Sequence, residues 1–224
     1  MTRRGFTIVE MIVTVSVIAI LLGLLLPALA SVRSGGRLAG CQSNLRQIHG
    51  AATAYAVINE GRSPALGVPW GREPFWALVV QAYAGQSGEA ADSYYEDSVL
   101  VSPAAVAFYG LELTRTYAVN VTGYAGAPGD RGNFDDAQVH IRTELVRRPS
   151  EIPYFMTSAV TDIDSDGPPP TRAASVLDFR DEDHVERRLG RYHGTGRDLF
   201  NAVRFDGSVE LGDAVLDLWL EPLP

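Results

Sequence analysis

Carboxylates in two places are the residues of this sequence best suited to chemistry. Asp162, Asp164 and Asp166 alternate along the chain and a glycine follows them. This is the first half of a calcium-binding loop, in which alternate carboxylates converge on a hard cation. A complete EF-hand needs an acid at the twelfth position, which here is Ala173, and prolines occupy 168–170. The sequence excludes an EF-hand and leaves two alternatives, a partial calcium site or an ordinary solvated turn.

The second carboxylate is Glu10, which lies at the start of a long apolar stretch. Only Thr14, Ser16 and Gly23 interrupt the run from residue 11 to residue 26. The 25 residues from 6 to 30 are enough to cross a hydrocarbon core of about 30 Å as a helix. A carboxylate in hydrocarbon costs about 2.5 kcal/mol or more. We therefore expect a partner or an interface to relieve the cost of burying Glu10.

Three interpretations of this N-terminus compete. It resembles a secretory signal peptide, with a small-residue cleavage site at Ala30 before Ser31. It also fits a plain membrane anchor, in which Glu10 reaches back to the interface. In the third interpretation Glu10 is an assembly signal, since an unpaired buried charge that only a second copy can satisfy would favour assembly. Arg3 and Arg4 precede the apolar run, so the positive-inside tendency keeps the N-terminus in the cytoplasm.

Charge is distributed unevenly and argues against several functions. The net charge is −8, with +3 on residues 1–60 and −11 on residues 61–224. An acidic body is unsuited to nucleic acid, whose binding depends on clustered cations, so we expect no nucleic-acid partner. The sequence contains no nucleophile elbow, P-loop, zinc-protease motif or dinucleotide fingerprint. We therefore expect no enzymatic activity.

Apolar spacing predicts that the helix continues beyond the apolar run. Six residues spaced three and four apart form one helical stripe, and Asn59-Glu60-Gly61 ends it. The rest of the chain has an α+β pattern, with a helix over 74–84 and a hairpin around Asp206-Gly207. The stripe comprises Leu38, Cys41, Leu45, Ile48, Ala52 and Tyr55. Further strands are predicted at 98–101, 114–121, 140–146, 154–160 and 174–179.

The segment Gly5-Phe6-Thr7-Ile8-Val9-Glu10 resembles the type IV prepilin signature of pilins and type II secretion pseudopilins. The resemblance implies that prepilin peptidase cleaves after Gly5 and N-methylates Phe6. It also implies that Glu10 is an assembly contact, which pairs with the Phe6 amine of a neighbouring subunit. Pro27 matches a proline that kinks the helix in many of these proteins. The implied fold is α+β, with a long N-terminal membrane-spanning helix packed against a small, mainly antiparallel β-sheet head.

Four further segments are similar, in order, to bacterial pseudopilin-like proteins: 41–48, 113–120, 148–151 and 193–209. The last contains a C-terminal His193 and an Asp-Gly element. Where relatives commonly have Cys-Pro, this chain has Ser102-Pro103, so the disulfide to Cys41 that the resemblance would imply cannot form.

Together these features predict a structural pilin-like subunit of a type II secretion or type IV pilus-like filament. We expect a leader at 1–5, a transmembrane assembly helix at 6–30, its amphipathic continuation at 31–60 and an exported head at 61–224. The expected partners are prepilin peptidase, other pilin-like subunits and the inner membrane, which the chain spans once with its head in the periplasm or outside the cell. No cofactor is required, with calcium the one candidate. The alternative is a secreted or anchored binding domain whose acidic loop is stabilised by calcium.

Overall fold

A computed structural model describes residues 7–85, 94, 98–161, 169–194 and 198–224. The chain divides into two compact units, Met1–Arg37 and Leu38–Pro224. Helix α1 runs from Ile8 to Ile58 and contributes to both. It ends directly before Asn59-Glu60-Gly61, as the sequence predicts.

The second unit contains one five-stranded sheet. Its strands are β1 (Tyr117–Asn120), β2 (Pro153–Thr157), β3 (Val176–Leu177), β4 (Phe200–Arg204) and β5 (Val209–Gly212). They lie in the order β3-β1-β2-β4-β5, and all neighbours are antiparallel except β1 and β3. Two short helices accompany the sheet, α2 (Trp76–Tyr83) and α3 (Pro103–Tyr109). The described part of the unit also has a π-helical turn (His184–Arg188) and 3₁₀ turns at Thr143–Leu145 and Asp217–Leu220.

Both faces of strands β1 to β4 are largely buried and carry mostly apolar side chains, whereas β5 is only partly buried. On one face Val119, Phe155 and Val203 belong to a core that includes Leu45 and Ile48 of α1. Ala118, Met156 and Ala202 point to the other face, where Trp219 of the last 3₁₀ turn joins them. The predicted helical stripe is confirmed at its centre, since Cys41, Leu45, Ile48 and Ala52 are fully buried.

The predicted fold class, a long N-terminal helix with a mainly antiparallel sheet, is confirmed. Two predicted strands are wrong. Residues 98–101 form a turn that leads into α3, and 140–146 contain one isolated bridge at Arg142 and a 3₁₀ turn. Helix α3 was not predicted, although Ser102 caps its first turn, Pro103 opens it and Gly110 closes it at φ 67°.

Candidate functional site

Glu10 and Thr7 form a reciprocal cap at the start of α1. The Thr7 backbone N–H and hydroxyl both donate to Glu10 Oε2 at 2.8 Å, and the Glu10 N–H donates to Thr7 Oγ1 at 3.3 Å. This is a capping box, in which N-cap and N3 side chains satisfy donors that a helix leaves unpaired. The sequence Thr7-Ile8-Val9-Glu10 has the S/T-x-x-E spacing that produces a capping box. The carboxylate at the start of the apolar run therefore has a local role, which the sequence interpretation missed.

The other polar side chains of the apolar run are paired within the helix. Thr14 donates its hydroxyl to the Glu10 carbonyl, and Ser16 donates to the Ile12 carbonyl at 2.7 Å. Such bonds to the preceding turn hide hydroxyl groups that hydrocarbon cannot solvate. These two residues therefore do not prevent membrane insertion.

Every Ile, Leu, Val and Met of α1 between residues 8 and 32 is exposed in the single chain, by 47% to 78% of its surface. Within the part of the chain that the structure describes, α1 is the one helix long and apolar enough to cross a membrane. Because apolar surface exposed on this scale is unfavourable in water, lipid or other subunits must cover it. One long apolar N-terminal helix is consistent with a single-pass anchor, as expected.

The predicted processing residues Gly5 and Phe6 lie outside the described residues, so their roles stay predictions. Pro27 lies inside α1, which continues on both sides of it. Proline has no N–H, so the helix lacks one hydrogen bond there. The predicted kink at Pro27 and the assembly role of Glu10 remain predictions as well.

In the second unit, the proposed calcium ligands Asp162, Asp164 and Asp166 also lie outside the described residues. Among residues 7–85, 94, 98–161, 169–194 and 198–224, no three His, Cys, Asp or Glu side chains converge in a way that could hold a metal ion. Cys41 is fully buried, as predicted, and its Sγ lies 2.8 Å from Ser102 Oγ. The two positions that the resemblance paired are therefore in contact.

An arginine clamp that the sequence did not suggest holds the loop after β1. Arg180 donates to both oxygens of Asp130 at 2.7 and 3.0 Å, and to Asp178 Oδ2 at 2.7 Å. The two carboxylates are nearly inaccessible, while Arg180 is one-quarter exposed. The guanidinium lowers the pKa of Asp130, chiefly through these hydrogen bonds. Fifty residues separate Asp130 from Arg180, so no local spacing could reveal the clamp.

His193 and the Asp206-Gly207 turn serve the packing of the sheet. His193 is only 4% exposed, and its Nε2 lies 3.3 Å from the Asn201 amide nitrogen. Burial lowers the pKa of His193 to about 4, so the ring is neutral near pH 7. The turn joins β4 to β5 as predicted, and Gly207 has the positive φ of 86° that the turn requires.

Comparison with known proteins supports the N-terminal assignment. A family model described as the prokaryotic N-terminal methylation motif matches residues 1–26. The chain is 31% identical over 64 residues to a ComG operon protein 3 homolog from Bacillus licheniformis, a match that covers 29% of this chain and 66% of that protein, just under two thirds of it. No solved structure matches the chain significantly. The resemblance drawn from residues 5–10 is thereby confirmed.

Proposed function

We propose that this chain, with a prokaryotic N-terminal methylation motif over its first 26 residues, is a structural subunit of a pilin-like filament. The filament is of the type II secretion or type IV pilus-like kind. The proposal is supported by the motif, the similarity to the ComG operon protein 3 homolog and the exposed apolar side chains of α1 between residues 8 and 32. The same helix serves twice, first as an anchor in lipid and then as the packing element of the fibre.

Processing follows from the motif in this proposal. Prepilin peptidase removes residues 1–5 and methylates the new amine of Phe6. Arg3 and Arg4 keep the leader on the cytoplasmic side of the inner membrane, and the acidic head is exported to the periplasm or beyond it. Other pilin-like subunits are the partners of the mature helix.

The observation that carries the proposal is the chemistry of Glu10. Its Oε2 accepts both bonds from Thr7, whereas no described residue donates to Oε1. The capping box holds the carboxylate in one orientation without using its full capacity, because a carboxylate has about four lone-pair sites. An amine from a neighbouring subunit can therefore bind Glu10 while the cap persists. A counter-charge supplied only by a second copy favours assembly and sets the axial register.

Substitutions at Glu10 test this proposal, because the cap and the charge can be separated. Glutamine also serves at the third position of a capping box, so Glu10→Gln retains the cap and removes the charge. Glu10→Ala removes both. We expect both variants to be processed and inserted normally, and both to lose incorporation into sheared filaments. If Glu10→Gln assembled like the wild type while Glu10→Ala did not, the cap alone would explain the glutamate and the assembly contact would be wrong.

The mature N-terminus provides the matched test of processing. Mass spectrometry of the purified protein should find N-methylated Phe6, and Gly5→Leu should leave the leader in place while the chain still reaches the membrane. A mature protein that begins at Ser31 would instead support a secreted domain, and one that retains Met1 would support a plain anchor. Either result would overturn the proposed processing.

A further inference from the structure

Arg115 is a buried cation that lies just before β1. Its side chain belongs to a residue only 8% exposed. One nitrogen, Nη2, donates to the Ala173 carbonyl at 2.9 Å, and Nη1 lies 3.4 Å from the Tyr94 hydroxyl. The guanidinium carbon is 5.9 Å from the centre of the Phe75 ring and 5.6 Å from that of Tyr94. Aromatic faces and one carbonyl thus surround a full positive charge.

Within the described part of the chain, no carboxylate forms an ion pair with Arg115, and its Nε–H finds no acceptor. A second guanidinium increases the excess of positive charge, since that of Arg172 lies 5.4 Å from the centre of the same Tyr94 ring. Buried charges are costly unless they are paired, and buried unsatisfied donors in native proteins generally mark an ion, a water molecule or a functional site. The Arg115 side chain is therefore suited to bind an anion, and the described residues of the chain do not provide one.

Arg115 lines a cavity of about 690 Å³ in the second unit. Trp70 and Phe134 form an apolar wall, with their rings 6.1 Å apart and perpendicular. The π-helical turn contributes Arg187 and Arg188 to the lining. The lining as a whole is mostly polar and charged, and Trp70 and Phe134 are its aromatic members.

Three carboxylates, those of Asp135, Asp181 and Asp183, also line this cavity, and two of them face basic groups of the same lining. Asp183 pairs with Arg187 at 3.2 Å, and Asp181 lies 3.5 Å from His184 Nε2. Asp181 also accepts the backbone N–H groups of residues 183 and 184. Among the described groups Arg188 has no ion-pair partner, so it can join Arg115 in holding a negative group.

We propose that this cavity binds a carboxylate carried on a flat or apolar body, with Arg115 as the buried anchor, Arg188 at the rim and Trp70 as the apolar wall. Arginine is suited to carboxylates because its planar nitrogens match the two oxygens. This proposal is independent of the proposed filament function. Its carboxylate comes either from a free small molecule or from an acidic side chain of a second copy.

Benzoate is the probe, because it combines a carboxylate with a flat ring. Thermal unfolding of the full chain in detergent should show a Tm that rises with benzoate concentration, as a ligand that binds the native state requires. Benzamide, which has the same shape without the charge, should give no shift, and neither should sodium chloride at equal ionic strength. Arg115→Gln and Arg188→Gln should each lower the affinity for benzoate at least tenfold. Arg147→Gln, at an exposed arginine outside this cavity, should leave the Tm shift with benzoate unchanged.

Protein concentration distinguishes the two sources of the carboxylate. A free ligand gives a benzoate shift that is the same in dilute and concentrated protein. A second copy gives oligomers in light scattering that both benzoate and Arg188→Gln disperse. The site is wrong if benzoate neither shifts the Tm nor disperses oligomers, if benzamide acts equally, or if Arg188→Gln responds to benzoate like the wild type. Arg188→Gln lies at the rim, so the test holds even if Arg115→Gln fails to fold.

Discussion

Ser102→Cys should create a disulfide between α1 and the start of α3. Cys41 Sγ and Ser102 Oγ lie 2.8 Å apart, and both residues are fully buried. Replacing the hydroxyl by a thiol brings two sulfur atoms into contact. Oxidation then forms a disulfide between residues 41 and 102. This is the disulfide expected in pseudopilin-like relatives that have Cys-Pro in place of Ser102-Pro103.

The size of the effect follows from the loop that the bond closes. The two residues are 61 positions apart, and the chain-entropy relation gives about 4 kcal/mol for a loop of this length. Against this, the Ser102 hydroxyl accepts the Ala105 N–H at 3.3 Å as the cap of α3, and losing a serine cap costs about 1 kcal/mol. We expect the oxidised variant to be about 3 kcal/mol more stable than the wild type, and the reduced variant to be slightly less stable.

Urea unfolding of the full chain in detergent, with and without reductant, measures this difference, and thiol titration of the native protein counts the free cysteines. Ser102→Ala is the control, because it removes the cap without adding a sulfur. Two free thiols after oxidation, or an oxidised form less stable than the reduced one, would show that α3 does not pack on α1 at Cys41 as the structure has it.

Three further predictions concern the head. In the folded protein His193 is neutral, with its pKa near 4 against an ordinary 6.5, so protonation favours the unfolded state. The free energy of unfolding should therefore be unaffected by this residue above pH 6.5 and should fall by about 3 kcal/mol between pH 6.5 and pH 4. In urea titrations at several pH values, His193→Gln should reduce this loss. Arg180→Gln leaves two buried aspartates without their cation and should cost about 3 kcal/mol in urea unfolding, whereas Arg187→Gln, at an exposed pair, should change stability by less than about 1 kcal/mol. Gly207→Ala should lower the Tm, because φ is 86° and the new methyl group would lie 3.1 Å from a ring atom of His49. Gly50→Ala, on the open face of α1, is the control: it should increase the free energy of unfolding by up to about 1 kcal/mol and so raise the Tm.

Local patterns were enough to predict the fold class and the elements with strong turn or cap signals. The hairpin at Asp206-Gly207 was predictable because the turn chemistry and its flanking alternation agree. Residues 98–101 were wrong because a short apolar run is equally compatible with a strand and with a buried turn. The signals for α3 were present, with Ser102, Pro103 and Gly110 at its ends, but seven residues are too few for a helical periodicity.

Long-range contacts could not be predicted in the same way. Arg180 and Asp130 meet only because the sheet brings the loop after β1 beside the end of β3. The contact between His49 and Phe205 is of the same kind, since His49 Nε2 lies 3.0 Å from the Phe205 carbonyl beside the β4–β5 turn. In both cases the partner is at least fifty residues away, and its identity depends on the tertiary fold.

Glu10 shows how a local and an intermolecular role can share one side chain. A carboxylate in hydrocarbon is costly, and the resemblance to pilins implies that a second copy of the chain relieves this cost. The capping box adds that two donors already face this carboxylate in the isolated chain, at the cost of ordering the side chain in advance. Because that ordering precedes assembly, a partner amine would bind a carboxylate already fixed in position, which favours association. Thr7 thus orients the group on which the proposed assembly depends, and the matched pair Glu10→Gln and Glu10→Ala separates orientation from charge.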